Sequence, residues 1–263
     1  MLQILCPFFS NSGKMLPLSL LGSCVLELEL GGYDDCFRAG TNITNLWEIV
    51  RPVVFADVIT VDPSLTNSFA QHLLNGKELP ITFDGFFSSI TSITAATSSS
   101  GTSSAVTVPI YRGFSRLKAI YVSFLYNSYP VNTSFVCPLI GNTVSTTAND
   151  TFRAYIQHGA SRDPLYAIES LSECFYRNRK AAMITDGVQS FSVGYTDFIS
   201  NKFWLAFSME KAAGETSHSG VNTMGSIVYL NFQGLGTSVN QIHTVCQFEA
   251  CARITAGGVE YLF

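Results

Sequence analysis

Charge is what this 263-residue chain has least of: Asp, Glu, Lys and Arg make up 13% of it, with a net charge of -4. A surface without a basic footprint neutralises few phosphates, so sequence-specific nucleic acid binding is not expected. The small basic cluster Arg177, Arg179 and Lys180 reads as a solvated helix end. No apolar run approaches the roughly 20 residues that span a bilayer, so no transmembrane segment is expected. The N-terminus, Met1 to Phe9, is apolar but lacks a basic start and meets Pro7 early, which argues against a secretory signal.

Catalytic and metal-binding signatures are missing too. His-Glu-x-x-His, the Gly-x-Ser-x-Gly elbow and the Gly-x-x-x-x-Gly-Lys-Ser/Thr phosphate loop do not occur. Gly234-Leu235-Gly236 lacks the third glycine of a dinucleotide site. Seven cysteines (Cys6, Cys24, Cys36, Cys137, Cys174, Cys246 and Cys251) are dispersed, with no Cys-x-x-Cys or Cys/His ligand spacing. They read as reduced, buried, small apolar residues.

What the chain does have is apolar content, 47% of residues, enough for a packed core or extensive subunit interfaces. Much of it alternates with polar residues. Leu26, Leu28 and Leu30 oppose Glu27 and Glu29, predicting a half-buried strand over Cys24–Leu30 that Gly31-Gly32 ends. Trp47 to Val61 predicts one or two more strands, interrupted by Pro52. A short helix follows. Asp62 suits its N-cap and Pro63 its first position, Leu65, Phe69 and Leu73 form an apolar stripe, and Gly76 suits the stop. Thr91 to Ser104 is a Ser/Thr-rich tract that reads as a flexible loop.

Strands then come in series. Val106, Val108 and Ile110 alternate with Thr107, Pro109 and Tyr111; Ile120, Val122, Phe124 and Tyr126 share the face of the next strand. Further strands are expected near Phe135–Ile140, Phe152–His158, Gln189–Tyr195, Phe203–Met209, Ser226–Phe232 and Ile242–Ile254. That is one complete jelly roll. A second helix is expected at Asp163–Lys180, with Ile168, Leu171 and Phe175 as its stripe. Only about three strands precede the first helix, too few to close a sandwich alone. The chain is therefore expected either to lack an N-terminal portion or to borrow a partner's strands.

Specific segments carry a family resemblance. Cys6-Pro-Phe-Phe-Ser-Asn-Ser-Gly-Lys-Met-Leu-Pro-Leu-Ser-Leu-Leu, with the strand ending at Leu30, resembles the closing part of the first jelly roll in double jelly-roll major capsid proteins. These form the shells of nucleocytoplasmic large DNA viruses, polinton-like viruses and virophages. Ala56 to Asp62, then Phe69-Ala70-Gln71-His72, resemble the family's aspartate-bearing strand and linker helix. Val106 to Phe124 resembles the opening hairpin of the second jelly roll, and Ser172 to Lys180 and Gly258 to Phe263 resemble later family segments.

The resemblance implies an all-β fold: residues 1–62 closing a first jelly roll, a linker helix over 63–76, and a second jelly roll over 77–263 containing loop 91–104 and one inserted helix. It implies a structural virion protein that trimerises into pseudo-hexagonal capsomers tiling an icosahedral shell. Its partners are itself, neighbouring capsomers and minor capsid proteins. Assembly occurs inside the host cell, unless the chain is a viral remnant in a host genome. No catalytic residue, cofactor or metal is implied. The competing expectation is a jelly-roll module that binds carbohydrate or another ligand without catalysis.

Candidate sites are then interface residues. Asp62, Phe69, Leu73 and Leu74 belong to the linker helix, whose apolar side chains are expected to seat against the sandwiches. Phe83, Phe86 and Phe87 either form an exposed patch or plug a sandwich; Trp204 is expected where sheets or subunits meet. His72, His158, His218 and His243 read as structural or surface residues, although His218 with Glu215 has the composition to hold a metal or sugar. Asp34-Asp35 has oxygen ligands for calcium but reads first as a Gly/Asp turn.

Overall fold

The computed structural model describes residues 17–21, 25, 27, 48, 50, 51, 53, 58–93, 105–126, 152–181, 194–196, 198, 203–210, 220–235 and 239–262. Two compact units divide the chain: Met1–Asp84 with Ala250–Phe263, and Gly85–Glu249. The C-terminal segment thus groups with the N-terminal part.

In chain order the elements are α1 (Leu18–Leu21), α2 (Pro63–Leu74), β1 (Leu79–Ser92), β2 (Val106–Ile110), β3 (Leu117–Tyr126), β4 (Arg153–His158), β5 (Ser161–Ile168), α3 (Leu171–Ala181), β6 (Leu205–Ser208), β7 (Val228–Gln233), β8 (Val239–Thr255) and β9 (Gly258–Leu262). One sheet has five strands in the order β1-β8-β3-β6, with β9 pairing β8; the other has four in the order β2-β7-β4-β5. The expected two-sheet, all-β architecture is present.

Period-2 burial explains the strands. Along β8, Ile242, Thr244, Cys246, Phe248, Ala250, Ala252 and Ile254 are buried while the residues between them are half-buried. The register with β3 moves from Leu125↔Gln241 to Tyr126↔Val239. This irregularity absorbs Asn240 and lets Val239 face inward as well. Val108 and Ile110 of β2, Ala154 and Ile156 of β4, and Val228, Leu230 and Phe232 of β7 form the buried side of the four-stranded sheet. The sheets meet where the Phe124 ring of β3 stands edge-on to Phe232 of β7, with centroids 5.3 Å apart.

The smaller unit has its own core. Asp62 caps α2: its Oδ1 accepts the Ser64 N–H at 2.7 Å, satisfying one of the helix's unpaired N-terminal donors. Leu73 packs with Ile81, Ala252 and Ile254, flanked by Leu20, Leu21, Leu79, Phe83 and Val259. Arg253 and Glu78 pair at 3.4 Å beside it.

Several expectations are corrected. The helix over Asp163–Lys180 is shorter, beginning at Leu171, and Ser161–Ile168 is instead strand β5, paired antiparallel with β4. Ile168 is therefore buried within a strand. Asp163-Pro164 mimics a capped helix start. However, Gly159, with φ of 56°, turns the chain into a hairpin, and Pro164 falls at the register irregularity of an edge strand, where no ladder N–H is needed.

β1 was not anticipated and includes Thr91 and Ser92; residues 94–104 of the expected loop lie outside the described residues. Val58–Val61 is exposed and not a strand. Tyr195 lies in a helical turn rather than ending a strand. The strands expected at Cys24–Leu30 and Phe135–Ile140 fall largely or wholly outside the described residues.

Candidate assembly surface

An edge strand exposes unpaired backbone groups, so how each edge is treated shows where association is permitted. At β6 the edge of the five-stranded sheet is closed by a side chain. Asn178 of α3 accepts the Ala206 N–H through Oδ1 at 2.7 Å and donates through Nδ2 to the Trp204 carbonyl. A strand points the C=O of one residue and the N–H two residues later to the same side. One carboxamide therefore satisfies both groups as a neighbouring strand would. Asn178 is fully buried to do so. Around this closure Phe175 packs against Phe198, and Phe198 against Phe203, with centroids 5.2 and 5.1 Å apart.

At the other end of the sheet order, β1 has β8 as its neighbour among the described residues. Its alternation splits the phenylalanines. Phe86 and Ile90 point outward, 51% and 62% exposed. Phe87 turns inward against Phe114, with centroids 6.1 Å apart. The question of patch or plug thus has a divided answer: Phe86 is exposed, Phe87 belongs to the larger unit's aromatic cluster, and Phe83 flanks the small core.

The aromatic cluster is held by a cation and a glycine. The Arg112 guanidinium lies 5.0, 5.6 and 5.2 Å from the Phe87, Phe114 and Phe248 ring centroids. The Phe248 ring lies flush on Gly85, where a Cβ would come within 2.6 Å of Phe248 Cζ. The loop before β3 is fastened by Thr223, whose Oγ1 accepts the Phe114 N–H at 2.8 Å, and by the Arg116–Glu249 ion pair at 2.6 Å.

The remaining expected residues fall as follows. Phe69 is half-buried, Leu73 is the buried residue of α2, and Leu74 is 81% exposed rather than seated within this chain. The two hydrogen bonds from Ser64 hold the Asp62 carboxyl below its ordinary pKa. Trp204 packs against Tyr121, with centroids 5.7 Å apart. The Tyr121 hydroxyl donates to Gln247 Oε1 at 2.8 Å. Asn178, Arg112, Gly85 and exposed Leu165 and Tyr166 on edge strand β5 were not foreseen, because each role depends on strand neighbours distant in sequence.

Each described histidine has its own setting. His158 Nε2 meets Ser226 Oγ at the end of β4, His243 lies half-buried on β8, and His72 is on α2. His218, Glu215, Asp34 and Asp35 lie outside the described residues. Among the described residues no three His, Cys, Asp or Glu side chains gather as metal ligands. Burial pushes the Cys246 thiol up to about 12 despite the opposing charge of Arg112, so it is an inert core residue. Among the described residues no helix is long and apolar enough to cross a membrane.

No protein-family model and no curated protein matches the chain. Among solved structures it is similar to the PBCV-1 virus capsid at 11% identity and a TM-score of 0.48, covering 77% of this chain and 55% of that one. PBCV-1 VP54, fitted into a reconstruction of the virophage Sputnik, aligns at 12% identity and 0.47 over the same shares. The Sputnik virophage structure aligns at 8% and 0.36, covering 71% and 38%. The chain thus spans about half the length of the first two solved chains. At these scores neither family nor function rests on the alignments.

Proposed function

We propose that this chain is a structural shell subunit that works by self-assembly. The observation carrying this reading is the pair of exposed apolar residues Phe86 and Ile90, interleaved with serines on the outward row of β1, which has β8 as its neighbour among the described residues, whereas Asn178 covers the β6 end of the sheet. Apolar side chains aligned on a strand edge gain by pairing with another copy. Leu74, Val58 and Ile59 of the smaller unit and Leu165 and Tyr166 of β5 add further exposed apolar surface.

The form of assembly follows the resemblance: two jelly rolls side by side give a trimer a pseudo-hexagonal outline, and trimers tile an icosahedral capsid. Many weak contacts repeated by symmetry close such a shell, and no side chain needs catalytic placement. The α2 helix, through Phe69, Leu73 and Leu74, would fix how the jelly rolls are joined. Minor capsid proteins would bind between capsomers, and the product would reside in the virion.

Native mass spectrometry of the purified chain tests the proposal. Trimers are expected, and Phe69→Asp and the double variant Phe86→Asp/Ile90→Asp should dissociate them while leaving far-UV circular dichroism unchanged. A wild-type chain that stays monomeric at high concentration would overturn self-assembly; intact trimers from Phe69→Asp would remove α2 from the interface.

A further inference from the structure

We propose that the outer face of the four-stranded sheet is a docking face for a carboxylate-bearing glycan, held by Arg162, Gln157 and Tyr229. Strand register puts these residues in one row: Pro109 pairs Tyr229, Tyr229 pairs Gln157, and Gln157 pairs Arg162. Directly opposed residues share a face. The intervening Val228, Leu230 and Ile156 are buried, so the row faces outward. The next row reads Thr107, Asn231 and Tyr155 by the same pairings.

The charge in these rows is that of Arg162. Its guanidinium lies 3.6 Å from the Tyr155 ring centroid and makes no ion pair among the described residues. Nearby carboxylates are otherwise engaged. Glu169 is bound to Arg153 at 2.9 Å, and Asp163, whose pKa burial raises against the charges of Arg177 and Lys180, pairs core-side Ile156 and not the outer row. An exposed guanidinium with free N–H groups is the complement of a carboxylate, which it can take bidentately.

The rest of the face selects the class of molecule bearing that carboxylate. Apart from half-buried Pro109 the two paired rows offer amides, a hydroxyl and tyrosine rings; exposed Leu165 and Tyr166 lie on β5 where it leaves the register with β4, outside these rows. A protein partner would be expected to centre on packed apolar anchors. A sugar instead lays its C–H face on an aromatic ring and shares hydroxyls with amides such as Gln157 and Asn231. Two strand spacings separate Tyr229 from Arg162, about 10 Å, wide enough for a uronic acid unit. This inference is independent of the shell reading.

Biolayer interferometry with immobilised polygalacturonate, dextran and polyglutamate tests it. Binding to polygalacturonate but not dextran is expected, with at least a tenfold loss in Arg162→Gln and a comparable loss in Tyr229→Ala. Thermal melts establish that both exposed-site variants fold. If Arg162→Gln proves unstable, Tyr229→Ala still decides. No binding to polygalacturonate, unchanged binding by the folded variants, or equal binding to polyglutamate would overturn the proposal, the last pointing to an acidic protein partner.

Discussion

Asn178 and Ala206 stand as strand neighbours although one is on a helix: the Ala206 N–H donates to the Asn178 side-chain oxygen at 2.7 Å, within a fully buried contact. Replacing Asn178 by Ala strands the buried Ala206 N–H and takes one donor from the Trp204 carbonyl. Each buried unpaired group costs about 1–3 kcal/mol, so urea unfolding should show a loss of about 2–4 kcal/mol. Asn178→Asp should also destabilise, since it keeps the acceptor and loses the donor. A loss below about 0.5 kcal/mol for Asn178→Ala, the range of ordinary surface changes, would refute the edge-closing role.

Gly85 and Phe248 make a second sharp test. A Cβ at residue 85 would meet Phe248 Cζ at 2.6 Å, and such overpacking costs about 1–3 kcal/mol. Gly85→Ala should lower Tm, and adding Phe248→Leu should recover part of the loss. Strict additivity in this double-mutant cycle would mean the two positions do not touch.

Thr244 offers a gain. Its Oγ1 is buried with no hydrogen-bond partner among the described residues. Thr244→Val removes the stranded hydroxyl while keeping the β-branched shape, and should stabilise the protein by about 1 kcal/mol. A fall in Tm instead would show that the hydroxyl is satisfied.

His243 sets a pH dependence. Burial holds its pKa below the usual 6.5, so below that pH the unfolded chain binds its proton more readily than the folded one. Stability linked to His243 is therefore complete above about pH 6.5 and declines as pH falls toward the lower folded pKa. Asp163, raised by burial, acts in the opposite sense, so the difference between wild type and His243→Gln isolates the histidine. That difference in Tm should narrow as the pH is lowered from about 7.5 to about 5. Parallel pH curves for the two proteins would count against it.

The sequence revealed what local pattern encodes. Alternation at Val106–Ile110, Ile120–Phe124 and Ile242–Ile254 marked strands, and Asp62-Pro63 marked the helix, because side-chain period and capping chemistry are written within a few residues. It misread Asp163-Pro164 because the same dipeptide serves a helix start and an edge-strand irregularity, and only β4 decides between them. The aromatic run around Phe86 hid strand β1, since Gly85 resembles a turn until Phe248 is placed upon it. Asn178 looked like one more polar residue in a basic helix. Its task exists only beside β6, which begins 27 residues later by the numbering of Leu205.

The contrast between the two ends of the five-stranded sheet has a directional consequence. With one end shut by a carboxamide, and β1 having β8 as its neighbour among the described residues, edge-to-edge addition to the β1–β6 order of this sheet is directed to the β1 side. Two copies meeting through β1 would each use that edge of the five-stranded sheet, so this particular pairing terminates instead of propagating into a fibre. Apolar side chains facing water on β1 are thereby steered toward closed, pairwise association and away from ribbon growth.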